Sequence, residues 1–115
     1  MSFQRKSKYK NKKVICDGHK FDSIKEKNWY IKYRLMQEQG IIKELQLQPK
    51  FILQDSFRYE GKHNRAITYS PDFQFYDIES QKRITVDVKG FKTEVYKIKR
   101  KLFLYKFPDI NFIEV

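Results

Sequence analysis

Asp72, Asp87 and Lys89 are the residues whose types and spacing could do chemistry together. Two carboxylates can hold a hard divalent cation through oxygen, and an ammonium group beside them can steady negative charge as it builds in a transition state. All three fall in residues 69–89, YSPDFQFYDIESQKRITVDVK. Within that stretch Phe73, Phe75, Ile84, Val86 and Val88 alternate with polar residues, the period of half-buried strands, around a turn at Ile78-Glu79-Ser80-Gln81. A hairpin centred between Glu79 and Ser80 sets Phe73 against Val86 and Phe75 against Ile84. The same register puts Asp72 opposite Asp87. Carboxylates facing each other across a ladder lie only ~5 Å apart at Cβ and repel; a divalent cation between them turns that cost into a binding site. Lys89, two residues beyond Asp87, projects from the same face. The plainer reading is a pair of strand-end acids in surface salt bridges, each worth little, with some of the 25 Lys and Arg residues.

The elements that must position these residues can be read outward from the hairpin. Residues 14–21 flank Asp17-Gly18, a dipeptide suited to a two-residue type I′ turn. A helix follows from Asp22 or Ser23 to near Gln39, with Gly40 as its left-handed cap. Ile24, Ile31 and Leu35, widened by Trp29 and Met36, form its expected buried stripe. Ser23 and Glu26 fit a capping box, in which Glu26 returns a hydrogen bond to the N-cap amide; from spacing alone, that role and a role at the acid pair stand equal. Residues 45–53 read as one strand bent or edged by Pro49. Residues 57–68 turn at Glu60-Gly61, and Pro71 bends the chain beside Asp72. Gly90 suits a close backbone approach. Thr93 caps a second helix, from Glu94 to about Lys106, expected to bury Val95, Ile98, Leu102 and Tyr105 before Pro108 stops it; residues 111–115 close as a strand. The fold class is α/β (α+β): a mixed sheet flanked by two helices and preceded by a short N-terminal hairpin.

Length and composition bound the partners. A chain of 115 residues with 40% hydrophobic and 17% aromatic residues can bury one core. We expect residues 1–13 to be a basic flexible arm and residues 14–115 the folded domain. The net charge of +11 implies a polyanion, with nucleic acid ahead of a membrane surface. No apolar run approaches the ~20 residues of a membrane span and no secretory signal is visible, so a cytoplasmic location is expected. The single cysteine, Cys16, and two separated histidines, His19 and His63, leave no structural zinc site. Two basic surfaces stand out as phosphate contacts: Lys8, Lys10, Lys12 and Lys13 in the arm, and Lys92, Thr93, Lys97, Arg100 and Lys101 at the second helix. Residues 89–106 hold seven Lys or Arg and one acid, Glu94, whereas a merely solvated face mixes signs.

Pro71-Asp72, then fourteen residues, then Asp87-Val88-Lys89 resemble the signature of the PD-(D/E)XK nuclease superfamily. The resemblance implies a restriction-endonuclease-like αβββαβ core, the element order reached above from periodicity. Residues 21–26 and the run DVKGFKTEVYKIKRKLFLYKFP further resemble small phage-encoded proteins assigned to that superfamily, and the likeness covers residues 8–115. Asp87 stands where glutamate is common. Carried onto this chain, the resemblance implies an endonuclease dependent on Mg²⁺ or Mn²⁺. Asp72, Asp87, the Val88 carbonyl and Glu26 would hold metal, and Lys89 would orient the attacking water and stabilise the transition state. One small domain leaves no room for a separate sequence-reading module, so phosphate contacts and DNA shape should dominate recognition. By analogy, a branched substrate such as a four-way junction is expected, with a homodimer to cut both strands and the host-cell cytoplasm as the setting. The competing functions are a non-catalytic nucleic-acid-binding module and a phage protein that binds a host enzyme.

Overall fold

The computed structural model describes residues 13–115, and Lys8, Lys10 and Lys12 of the basic arm lie outside the described residues. In chain order the elements are β1 Val14–Cys16, β2 His19–Phe21, α1 Ile24–Glu38, β3 Ile42–Leu47, β4 Phe51–Gln54, β5 Phe57–Tyr59, β6 Lys62–Asn64, β7 Ile67–Tyr69, β8 Phe73–Asp77, β9 Lys82–Asp87, α2 Glu94–Lys106 and β10 Asn111–Glu114. The central sheet runs β10-β9-β8-β3, with β10 parallel to β9 and the other neighbours antiparallel. The two helices and the central strands follow one another as α-β-β-β-α-β, so the class is mixed α+β as expected. Among the described residues no helix is long and apolar enough to cross a membrane.

Turn chemistry accounts for the hairpins. Asp17 and Gly18 have φ of 52° and 80°, and Glu60 and Gly61 have 49° and 76°. Two successive positive φ values are what a type I′ turn needs, and Gly at the second position carries the less tolerable one at no steric cost. In the β8–β9 hairpin Phe73 pairs with Val86 and Phe75 with Ile84, the expected register.

Three expectations need correction. Residues 45–53 are not one strand: β3 and β4 belong to different sheets, β3 pairing with β8 and β4 with β7. Gln48 at φ 51° and Pro49, which lacks an N–H, divert the chain between them. On α1 the buried residues are Glu26, Tyr30 and Tyr33; of the expected stripe Trp29, Ile31 and Met36 pack half-buried against the same core, while Ile24 is 56% exposed and Leu35 is also exposed. On α2 they are Tyr96 and Phe103, while Val95 at 62%, Ile98, Leu102 and Tyr105 face outward. The reason is common to both helices. Aromatic rings bury more surface than aliphatic side chains, so Tyr30 and Tyr33 on α1 and Tyr96 and Phe103 on α2 take the inward positions, while Tyr105 stays 86% exposed. Tyr30 satisfies its hydroxyl by donating to the Asp17 carboxylate at 2.9 Å.

Those rings build two cores. Phe21, Tyr30, Tyr33, Ile42, Phe73, Phe75 and Val86 pack between α1 and the sheet. Tyr69, Tyr96 and Phe103 pack with Phe51, Phe107 and Phe112 around α2. Phe112 pairs with Thr85, and strand alternation places Thr85 and Asp87 on the opposite face from Val86. Asp87 therefore points toward the second core.

Candidate active site

Three backbone contacts place the acid pair. The Asp72 N–H donates to the Val86 carbonyl at 3.0 Å, extending the β8–β9 ladder one step beyond Phe73. The Gln48 N–H donates to the Asp72 carbonyl at 2.9 Å, so the break at Pro49 ties down the same residue. Finally the Val88 N–H donates to Asp72 Oδ2 at 2.7 Å, drawing that carboxylate over the end of β9. Asp87 and Lys89 are held from the other side by the end of the chain. The Val115 N–H donates to the Asp87 carbonyl at 3.0 Å, and the Lys89 N–H donates to the Val115 carbonyl at 3.1 Å.

Side chains complete the arrangement. Asp87 is 1% exposed; the Tyr69 hydroxyl donates to its Oδ2, and Lys89 Nζ lies 3.4 Å from its Oδ1. The same Nζ sits 4.4 Å from the centre of the Tyr96 ring, whose face attracts a cation. Glu26 is 5% exposed and reaches Asp72 from α1. Its backbone N–H donates to Ser23 Oγ at 3.1 Å, while its Oε1 accepts from the Asp22 N–H at 3.3 Å. The capping box is thus shifted: the return bond goes to the residue before the N-cap, and one carboxylate serves both the helix end and the acid cluster.

Burial raises the proton affinity of Asp72 and Asp87. It is the main reason the Asp87 carboxyl is pushed up to about 7; the Asp72 hydrogen bond and charge push the same way, against Tyr69 and Lys89. Asp72 rises to about 6, again mainly by burial, with Glu26 adding to the rise and the bonds from Asp87 and the Val88 N–H opposing it. Near neutral pH the two carboxyls share protons as a coupled pair. A buried, mutually repelling carboxylate pair is what a divalent cation stabilises.

A cleft of about 570 Å³ opens over the cluster, with Glu26, Asp72, Val88 and Lys89 in its wall. A second hollow of about 520 Å³ shares Glu26 and Asp72 and extends toward His19 and Gln48. The acids therefore sit between two open spaces, with Asp87 behind Asp72. The Asp72, Glu26 and Asp87 carboxylates with the Val88 carbonyl would form an all-oxygen set, the kind that suits Mg²⁺ or Mn²⁺. Among the described residues no three His, Cys, Asp or Glu side chains already converge as a metal cage. The sequence assigns Gly90 to a close backbone approach; instead nothing lies within 4 Å of where its Cβ would be, and the space there is open cleft.

Of the basic residues named from sequence, Lys92, Lys97 and Arg100 line one hollow together with Tyr96 and Glu114. Lys13 pairs with Asp22 at 2.7 Å. Lys92 and Arg100 both face Glu114, at 4.0 and 3.2 Å, and Lys97 pairs with Glu94 at 3.2 Å. Thr93 caps α2, accepting the Tyr96 N–H at 3.0 Å, and Lys101 is exposed. Acids on α2 and β10 thus temper the basic face read from the helix alone: Lys97–Glu94 is an exposed pair that exchanges cheaply for phosphate, whereas Glu114 is half-buried and also accepts from the Tyr96 hydroxyl. Tyr69 and Tyr96 escaped the sequence reading; Tyr69 stands three residues before Asp72, but no periodicity says that its hydroxyl turns to Asp87.

No curated protein matches the chain. Its family model spans nearly all of it: the chain belongs to the family described as "Protein of unknown function (DUF1064)", which matches residues 6–115.

Proposed function

We propose that this protein is a divalent-metal-dependent endonuclease that hydrolyses DNA phosphodiester bonds. The observation that carries the reading is that Glu26, Asp72 and Lys89 line one cleft, with Asp87 buried against Lys89 and Asp72, in a chain of net charge +11. Asp72, Asp87, Glu26 and the Val88 carbonyl would hold Mg²⁺ or Mn²⁺, which supplies a Lewis acid and a more acidic water. Lys89 positions its ammonium group to orient that water and to offset charge on the phosphoryl oxygens. Asp87 keeps Lys89 in place through their ion pair, and the Tyr96 ring limits where the ammonium can go. Lys92, Lys97, Arg100 and Lys101, together with the arm, contact phosphates along the flanking backbone. Opposite-strand cutting calls for two such sites, hence a homodimer, and branched DNA such as a four-way junction is the proposed substrate.

The test is incubation of the purified protein with supercoiled plasmid and with a synthetic junction, in Mg²⁺, Mn²⁺ or EDTA. Cleavage should appear with either metal and vanish with EDTA. The burial of Asp87 favours one other reading, a nucleic-acid-binding module without catalysis. That module would bind DNA equally well in EDTA, leave every substrate intact, and be indifferent to Asp87→Ala.

A further inference from the structure

We infer that the cleft continues into a track for an unpaired nucleic-acid strand along α1, with Phe91 and Trp29 stacking on bases and Lys25 and Lys32 holding phosphates. The inference deepens the nuclease reading and rests on it for the role of the acid cluster. Phe91 is 85% exposed, yet it stands on the lip of the cleft beside Lys89 and Gly90. Folding does not explain a ring held in water at the mouth of a polar cleft; a ligand with flat, apolar faces does. Lys25 lines the cleft and also a neighbouring hollow of about 360 Å³ formed with Asn28, Trp29 and Lys32. Its Nζ donates to the Lys89 carbonyl at 3.3 Å, joining α1 to the loop that carries Phe91.

Residues 25, 29 and 32 follow one another at helical spacing on the same side of α1, over ~10 Å of axis. With Asn28 they form a row with two cations and no acid. Trp29 rests on Tyr33, ring centres 5.5 Å apart and planes at 30°, so the indole is braced from the protein side. Lys32 Nζ lies 4.8 Å over the ring, a contact that a stacking base can displace and then use as a phosphate partner. Alternation of cations with aromatic faces is the pattern that binds single strands without reading sequence. A paired duplex keeps its base faces hidden, so this track selects for unpaired segments, as found at branches, flaps and frayed ends.

The experiment uses the full chain in EDTA, so that binding is read without cleavage. A labelled 12-mer oligothymidylate and a blunt duplex of the same length are titrated by anisotropy, while the fluorescence of Trp29, the only tryptophan, is followed in parallel. Tryptophan quenching should saturate together with single-strand binding. Phe91→Ala, at an exposed position that cannot unfold the core, should weaken single-strand binding roughly 5- to 150-fold and leave duplex binding within about twofold. Lys25→Gln combined with Lys32→Gln should flatten the single-strand salt slope by about 1.4. If the wild type binds neither ligand, the track is overturned, while the nuclease reading is decided separately by the cleavage assay in Mg²⁺ or Mn²⁺. If it binds, but Phe91→Ala holds the oligonucleotide as tightly as wild type or Trp29 stays unquenched, the track is likewise overturned and the nuclease reading is untouched.

Discussion

Replacing Asp87 with asparagine should make the metal-free protein more stable and at the same time abolish its response to metal. Asp87 is 1% exposed and faces Asp72, with Tyr69 and Lys89 as its stabilising neighbours. Its carboxyl is pushed from an ordinary 3.8 to about 7. At ~1.4 kcal/mol per decade of proton affinity, ionising it at pH 8 costs at most ~4 kcal/mol of folding stability. Asparagine removes that cost and still accepts from Tyr69, but its amide group needs acceptors in the same space, returning ~1–3 kcal/mol. A net gain of ~1–3 kcal/mol corresponds to a melting temperature higher by roughly 4–12 °C. Saturating Mn²⁺ should stabilise the wild type by ~2.7 kcal/mol at a hundred times its dissociation constant, and the variant not at all. The assay is thermal unfolding at pH 8 in EDTA and in Mn²⁺. A variant less stable than wild type in EDTA would refute the burial argument, and an undiminished Mn²⁺ shift would refute the ligand assignment.

Further outcomes follow from the same cluster. Because Asp72 and Asp87 bind protons more tightly folded than unfolded, metal-free stability should rise as pH falls from 8 through about 7 and about 6. That gain should end near 3.8, the ordinary value of both carboxyls. Asp17, Glu44 and Asp77, held low by Arg34, Arg83 and Ser80, work the other way in acid. Urea titrations should therefore give a maximum at about pH 5, and stability falling steadily from pH 8 to 5 would contradict the assignment. Lys89→Ala should reduce turnover ~10²–10⁴-fold while filter binding of DNA changes little; binding lost in step with turnover would make Lys89 an anchor instead. Tyr69→Phe removes the hydroxyl that donates to Asp87. It should move the acid limb of the activity profile to higher pH and weaken Mn²⁺ binding, and an unchanged profile would mean that this bond is idle.

How much of this was legible depended on which physical rule set each feature. Strand register follows from a period of two, and one slip would expose Phe73, Phe75 and Val86 together. The β8–β9 pairing and the meeting of Asp72 with Asp87 could therefore be read directly. The turns at Asp17-Gly18 and Glu60-Gly61 are equally local. Helix rotation is not. α2 carries one stripe through Val95, Ile98 and Leu102 and another through Tyr96 and Phe103, and only the presence of Phe51 and Phe112 selects the second. On α1, Tyr30 and Tyr33 carry no local mark of burial, because a tyrosine counts as half polar until its ring finds a core. The partition of residues 45–53 turned on which strand β4 would join, a choice made by β7 and invisible in local alternation. Tyr69, on β7, was missed for the same reason, since its hydroxyl meets Asp87 only once that small sheet has packed.

The central claim is that Asp72 and Asp87 hold a divalent ion in common. A crystal structure of the full chain grown with Mn²⁺ at pH 8, with anomalous data collected at the manganese edge, tests it most directly. The expected result is a peak bridging the two carboxylates and the Val88 carbonyl, with Lys89 alongside. Full occupancy of Mn²⁺ elsewhere in the lattice, with no peak there and Asp87 still closed beneath the Tyr69 hydroxyl, would contradict it.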